Sequence, residues 1–357
     1  MSAQGYAVHD PKDYHSFKVT KYDLKPEGDQ DVTVDIQYCG LCSSDVHTIS
    51  GGWGPFNTDF VVPGHEIVGI VSQVGKNVKE FKVGDRVGVG AQVGSCMSCY
   101  NCKNDNENYC TGDGKSAIID TYNAVYADGS QAQGGYSTRI RAHEQFVFAL
   151  PESIGSAEAA PMLCGGLTVF SPLIRNGAGP GKKVGIVGIG GLGHFGVIFA
   201  AALGAEVVAI SHSPKKREDA LKMGASKFIS TAEDPNWAKE YKSDPFDLII
   251  NTASSNAVDL PSILSALKVH GKLISVGMPE DEFKLRAQHL IGNGCYFGSS
   301  HIGSKKEAIQ MLNLVAEKNI QPWIEVVPMK DCSKAIKRLE DNDIKYRFVF
   351  EQDLEEN

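Results

Sequence analysis

The sequence predicts an α/β protein of two parts, a mostly-β domain and a doubly wound parallel sheet. Three observations carry that prediction. Up to about residue 150, Gly, Pro, Asn and Asp punctuate short β-rich runs roughly every 8–12 residues. From about residue 182, apolar strands alternate strictly with helical stretches, and a glycine-rich loop joins the first such strand to the first such helix. The chain's 357 residues, 42% hydrophobic and 22% charged, suffice for two cored domains of roughly 100–200 residues each.

The β runs of the first part are Val32–Cys39, Ile67–Val74 and Arg86–Ala91. The alternating part reads Lys183–Val187 (strand), Leu192–Leu203 (helix), Glu206–Ile210 (strand), Lys215–Met223 (helix), Phe246–Asn251 (strand), Val258–Leu267 (helix) and Lys272–Val276 (strand). A tail follows, with helices at Lys305–Lys318 and Cys332–Asp341 and strands at Trp323–Val327 and Tyr346–Phe350. Only one helix–strand pair of it need continue the parallel sheet, which leaves the last strands free to return to the first domain.

Charge and termini exclude several function classes. With 35 Lys+Arg against 43 Asp+Glu the formal charge is -8, so neither nucleic acid nor an anionic membrane surface is an expected partner. The N-terminus MSAQGYAVHDPKDYHSF has no apolar core, cleavage site or Arg-rich amphipathic segment, so a reducing, cytoplasmic setting is expected. There the nine cysteines would serve metal or catalysis rather than disulfides. The single membrane-span candidate, Val184–Ile210, carries seven glycines and suits a strand–turn–helix better than a lipid-facing helix.

Gly188-Ile189-Gly190-Gly191-Leu192-Gly193 follows a strand and opens a helix. In that context the glycines allow a tight turn, close approach of a pyrophosphate and close helix–strand packing, with phosphates resting on the helix N-terminus. A dinucleotide site is the expectation. At the end of the next strand, where an Asp or Glu would bind the ribose 2′-hydroxyl of NAD, the chain reads Ser211-His212-Ser213-Pro214-Lys215-Lys216-Arg217. Hydroxyls and cations there would bind a 2′-phosphate, so NADP(H) is preferred. The plainer alternative, cations that merely solvate a helix's first turn, runs against the helix dipole.

Cys96-x2-Cys99-x2-Cys102-x7-Cys110 places four thiols within 15 residues, the pattern of a closed, structural zinc site. A dispersed set comprises Cys42 in Cys39-Gly-Leu-Cys-Ser-Ser-Asp-Val-His47, His65 and Glu66 in Pro63-Gly-His-Glu66, and Cys164 in Leu163-Cys-Gly-Gly-Leu-Thr168. One His and two Cys would leave a fourth zinc position open. Spacing alone does not separate that grouping from core cysteines and a buried histidine.

These segments, with Gly271-Lys-Leu-Ile-Ser-Val-Gly277 and the closing Lys345-Tyr-Arg-Phe-Val-Phe350, resemble the zinc-dependent medium-chain dehydrogenase/reductases, most closely their cinnamyl-alcohol dehydrogenase branch. The resemblance runs from about Tyr38 to Phe350. It implies a GroES-like catalytic domain from residues 1–155 and 302–357, a Rossmann NADP-binding domain at 156–301, and a homodimer. It assigns Cys42, His65 and Cys164 to a catalytic zinc, so that two zinc ions are expected per chain. By the same resemblance Glu66 can enter the coordination sphere, and Asp45 orients the zinc-binding imidazole, where a turn or capping role is the alternative. Cys39, Cys295 and Cys332 match no ligand position and read as small buried side chains.

In such enzymes zinc stabilises an alkoxide or polarises an aldehyde carbonyl, and a hydroxyl relay carries the proton to solvent. Ser44 and His47 match the relay positions, with the cofactor ribose between them; a turn hydroxyl and a surface imidazole are the alternatives. Thr168, Thr252, Gly277 and Ser299-Ser300-His301 would contact the cofactor, and Ser211, His212, Ser213 and Lys216 its 2′-phosphate. His212 departs from relatives with Arg or Ser there and adds full charge only when protonated. Trp53 and Phe56, in Gly51-Gly-Trp-Gly-Pro-Phe56, would line the substrate pocket, core packing or loop anchoring by the Trp being the competing roles. The implied activity is NADP(H)-dependent reduction of aromatic or medium-chain aliphatic aldehydes and the reverse alcohol oxidation. A polyol or secondary-alcohol dehydrogenase and a non-catalytic cofactor-binding scaffold are the alternatives.

Overall fold

Val32, Val34 and Ile36 alternate along one strand, Asp31–Gly40, and are buried in a common core with Ile67, Val71, Phe348 and Phe350. The computed structural model describes residues 1–115, 117–255, 257–280 and 282–355. It divides into two compact units, Met1–Cys164 with Ser304–Asn357, and Gly165–Gly303.

In the first unit Asp31–Gly40 pairs antiparallel with Ile67–Val74. Arg139–His143 and Arg347–Glu351 share its other edge, opposite Asp31–Asp35 and Tyr38–Gly40 respectively. The sheet runs in the order Val147–Ala149, Arg86–Val89, Ile67–Val74, Asp31–Gly40, Arg347–Glu351, Ile324–Pro328. Both tail strands therefore lie here, and neither extends the parallel sheet. The reason is local: Arg347, Phe348, Val349 and Phe350 are all buried and need neighbours on every side, which the free half-edge of Asp31–Gly40 supplies. The tail helix Lys305–Lys318 begins with Ser304 and Glu307 capping one another and ends at Asn319 in the left-handed conformation.

The second unit is a six-stranded, wholly parallel sheet. Its order is Lys227–Ser230, Glu206–Ser211, Lys183–Val187, Phe246–Asn251, Leu267–Ser275, Tyr296–Ser299. Strand order reverses between Lys183–Val187 and Phe246–Asn251, which puts a ligand crevice at their carboxyl ends. Two of the six strands, Lys227–Ser230 and Tyr296–Ser299, are absent from the sequence reading because both are four-residue edge strands. The apolar stretch at Val184–Ile210 is strand, loop, the buried helix Gly193–Ala202, and strand. No single helix among the described residues is long and apolar enough to cross a membrane. The helix expected at Lys215–Met223 is a 3-10 turn, Pro214–Lys216, followed by the α-helix Arg217–Lys222. Ser213 and Pro214 impose the tight start.

Candidate functional site

Cys42 lies at the start of the short helix Ser43–Ile49, His65 and Glu66 directly precede the strand Ile67–Val74, and Cys164 ends the first unit. The fold brings their ligand atoms within 4.8 Å of one another, and all four residues are buried. His65 Nε2 is 3.1 Å from Cys164 Sγ. Asp45 organises the group: its Oδ1 meets His65 Nδ1 at 3.0 Å and the Gly64 amide at 3.1 Å, its Oδ2 the Cys42 amide at 2.9 Å and the Tyr136 hydroxyl at 3.1 Å. With Nδ1 committed to Asp45, Nε2 is the nitrogen that faces the thiols.

Two soft sulfurs and one imidazole are a donor set that zinc accepts. The Cys42 thiol is held well below its usual range by the Cys164 thiol that donates to it and by His65. The Cys164 thiol, donating to Cys42 and buried, is pushed well up, and burial lifts Glu66 to about 7. Glu66 is also engaged elsewhere, because Arg347 Nη2 lies 2.5 Å from both its oxygens, with both side chains buried. Gly40 makes room for this pair, since a Cβ there would fall 2.0 Å from Glu66 Oε2. Sequence reasoning quoted Arg347 only within the closing motif and missed Tyr136; a buried polar residue inside a strand, and a Tyr after two glycines, were the available signals.

Ser44 Oγ lies 3.6 Å from Cys42 Sγ. His47, on the same helix, stacks on Trp53 with ring centroids 5.0 Å apart and planes 13° from parallel. Trp53 is 41% exposed, so it is not a core anchor. Phe56, half-buried, packs against the core of the first unit.

The four-cysteine loop closes on itself. Sulfur–sulfur separations are 3.4 Å (Cys96–Cys110), 3.5 Å (Cys99–Cys102), 3.9 Å (Cys96–Cys102) and 4.0 Å (Cys99–Cys110). A tetrahedron with Zn–S of about 2.3 Å has edges of about 3.8 Å, so four thiolates here fit zinc without rearrangement. Amides of Cys99 and Gly112 donate to Cys96 Sγ and Cys110 Sγ, both at 3.3 Å, and favour the thiolate form. All nine cysteines are free, and Cys39, Cys295 and Cys332 are buried.

In the second unit the three motif glycines have separate duties. Gly188 has φ +84°, and a Cβ on Gly193 would lie 1.7 Å from Gly188 O, so only glycine permits that helix–strand approach. Gly190 opens onto space, which leaves a cradle at an N-terminus that no side chain caps. Thr252 Oγ1 donates to the carbonyls of Val187 and Gly188 at 2.9 and 2.7 Å, and so braces the loop from behind. Gly277 likewise permits close backbone packing, a Cβ there falling 2.2 Å from Ala253 O. Ser299 Oγ donates to Ser275 O at 2.8 Å, and Ser300 and His301 follow in the same segment. Thr168 is buried in the helix Gly165–Arg175.

The basic cluster is divided by the fold. Arg217 pairs with Glu233 and lies over the Phe228 ring at 5.1 Å. Ser213 Oγ accepts the Lys215 amide at 3.2 Å as a cap. Ser211 ends its strand half-buried, His212 and Lys215 are exposed and Lys216 is half-buried at the same strand end.

Residues 28–152 match the family described as Alcohol dehydrogenase GroES-like domain, and residues 191–317 match Zinc-binding dehydrogenase. The chain is 47% identical to NADP-dependent alcohol dehydrogenase 6 of Saccharomyces cerevisiae over 97% of this chain and 95% of that protein. Among solved structures, a Sorghum bicolor cinnamyl alcohol dehydrogenase superposes with TM-score 0.91, 37% identity and full coverage of both chains. The Helicobacter pylori cinnamyl alcohol dehydrogenase complexed with NADP(H) superposes with TM-score 0.89 at 34% identity, covering 98% of each chain.

Proposed function

Because the chain belongs to the zinc-dependent medium-chain alcohol dehydrogenases, in their cinnamyl-alcohol dehydrogenase branch, we propose the following division of labour among its residues. The activity is that of an NADP(H)-dependent alcohol dehydrogenase and aldehyde reductase, with zinc. Cys42, His65 and Cys164 hold the catalytic ion, with Glu66 in reach as an alternative ligand, and Cys96, Cys99, Cys102 and Cys110 hold a structural one. The observation that carries this is the convergence of His65 Nε2 and two thiols under a carboxylate already bound to Nδ1.

When bound, zinc supplies an electrophile for the substrate oxygen and NADPH supplies the hydride. Asp45 keeps the imidazole in one tautomer. Ser44 would accept the substrate hydroxyl proton at its Oγ as it gives up its own hydroxyl proton outward, and the His47 ring would hold the proton at the solvent end; in reduction the path reverses. Trp53 and Phe56 contribute to substrate positioning. Gly188, Ile189, Gly190, Gly191, Leu192 and Gly193 seat the pyrophosphate on backbone N–H groups. Ser211, His212, Ser213 and Lys216 bind the 2′-phosphate, while Thr168, Ser299, Ser300 and His301 contact the rest of the cofactor, and Thr252 and Gly277 shape the loops beside it.

The substrates we propose are aromatic and medium-chain aliphatic aldehydes. Purified protein with NADPH should consume cinnamaldehyde or benzaldehyde, and Cys42→Ala should abolish this. Turnover of ketoses in preference to aldehydes would point instead to a polyol or secondary-alcohol dehydrogenase. The scaffold alternative requires a missing ligand, yet the whole set is in place. Nine free cysteines support a reducing, cytoplasmic setting. The edge strand Tyr296–Ser299, with Tyr296 and nearby Ile291 exposed, supports a homodimer, which sedimentation at twice the 38.5 kDa chain mass would reveal.

A further inference from the structure

Tyr136 sits against the catalytic metal ligands by construction. Its segment pairs main chain to main chain with the residues just before His65: the Gly134 amide donates to Val62 O at 2.7 Å, the Gly135 amide to Gly64 O at 2.7 Å and the Tyr136 amide to Pro63 O at 2.9 Å. Glycines make that approach possible. A Cβ on Gly64, whose φ is +102°, would fall 2.5 Å from Tyr136 Cδ1 and 2.7 Å from Cys39 Sγ, and one on Gly134 would fall 2.4 Å from Gly64 O. The ring is fully buried, with the edge-on Phe350 ring 4.8 Å away.

We propose that Tyr136 is a positioning residue for the catalytic zinc site, acting through Asp45; the inference rests on the zinc-site reading above. Both Asp45 oxygens are held: Oδ1 meets His65 Nδ1 and the Gly64 amide, Oδ2 the Cys42 amide and the Tyr136 hydroxyl, and the Tyr122 hydroxyl also bonds to the carboxylate. A carboxylate held at both oxygens cannot turn about its Cβ–Cγ bond, so Oδ1 stays aimed at the imidazole. The two amides belong to the ligand segments themselves and move with them. Tyr136 ties Asp45 to a further segment; its ring packs edge-on against Phe350 of the seven-stranded sheet, and the segment's main chain is bonded to residues 62–64. A second tyrosine, Tyr122, packs its ring 5.6 Å from His65 and completes the buried wall.

The test follows zinc loss from the holoenzyme under excess chelator. Mass-mapped alkylation of Cys42 and Cys164 reports one site, and that of Cys96, Cys99, Cys102 and Cys110 the other. Tyr136→Phe retains the ring and its packing. It should speed loss at Cys42 and Cys164 about tenfold, the low end for an outer partner of a metal ligand, with the four-cysteine site unchanged. Added to Asp45→Asn, which conserves volume, Tyr136→Phe should have no further effect. Unchanged release in Tyr136→Phe, equal acceleration at both sites, or additivity with Asp45→Asn would overturn the proposal. Immediate alkylation of Cys42 and Cys164 in the wild-type holoenzyme, with one zinc per chain, would overturn the zinc-site reading and this proposal together.

Discussion

Single residues carry the chemistry, and two kinds of sensitivity follow from their surroundings. Gly64 has a positive φ and two side chains occupy the position its Cβ would take, so Gly64→Ala should displace Tyr136 and Asp45 and yield protein deficient in the catalytic zinc, measured as about one zinc per chain instead of two. Ser44→Ala should instead leave zinc content intact and lower turnover by about 10²-fold, the usual range for loss of a proton-transfer group. A steady-state rate with retained two-zinc stoichiometry separates the effects. Cys42 and Cys164 are legible from sequence only through family resemblance, since a lone Cys and a buried structural Cys read alike; Arg347 was illegible because its partner Glu66 lies 281 positions away.

At the scale of elements, the four-cysteine loop does more than close on a metal. Glu107 Oε1 accepts the Lys305 amide at 2.6 Å and Gln145 Nε2 at 3.1 Å, and Asp105 meets Lys306 Nζ at 2.9 Å. The loop thus caps the helix Lys305–Lys318 at the Lys305 amide, which the helix itself cannot satisfy. Glu107→Ala should cost about 1–3 kcal/mol locally, seen as faster hydrogen exchange in the first turn of that helix. The turn after the strand Glu206–Ser211 has its own consequence. Arg217 pairs with Glu233 there, and Lys216 is the cation of this turn that the family resemblance places at the 2′-phosphate: Lys216→Ala should raise the KM for NADPH about tenfold and leave that for NADH nearly unchanged. The sequence pattern located this turn, but periodicity carries no information about Glu233, the acidic neighbour that Arg217 meets.

Over the whole molecule, zinc and stability are linked, because a ligand that binds only the folded state adds to its stability. Removing zinc with chelator should lower the melting temperature of wild-type protein, and restoring zinc should recover it, by calorimetry. What the sequence by itself determined is local or periodic: four cysteines within 15 residues, the glycine loop between strand and helix, the lack of an acid at the end of the next strand, and the alternation of strand and helix after residue 182. Each rests on neighbours within a few residues or on a repeating pattern. Tertiary structure alone decided the rest. It sent both tail strands to the first unit, the buried Arg347–Glu351 onto the open edge of Asp31–Gly40 and Ile324–Pro328 onto Arg347–Glu351, assigned Arg217 to Glu233 and Arg347 to Glu66, turned Thr252 into a brace for the loop, and set Tyr136 behind Asp45. Those outcomes depend on which groups distant in sequence the fold sets side by side, and that proximity exists only in the folded chain.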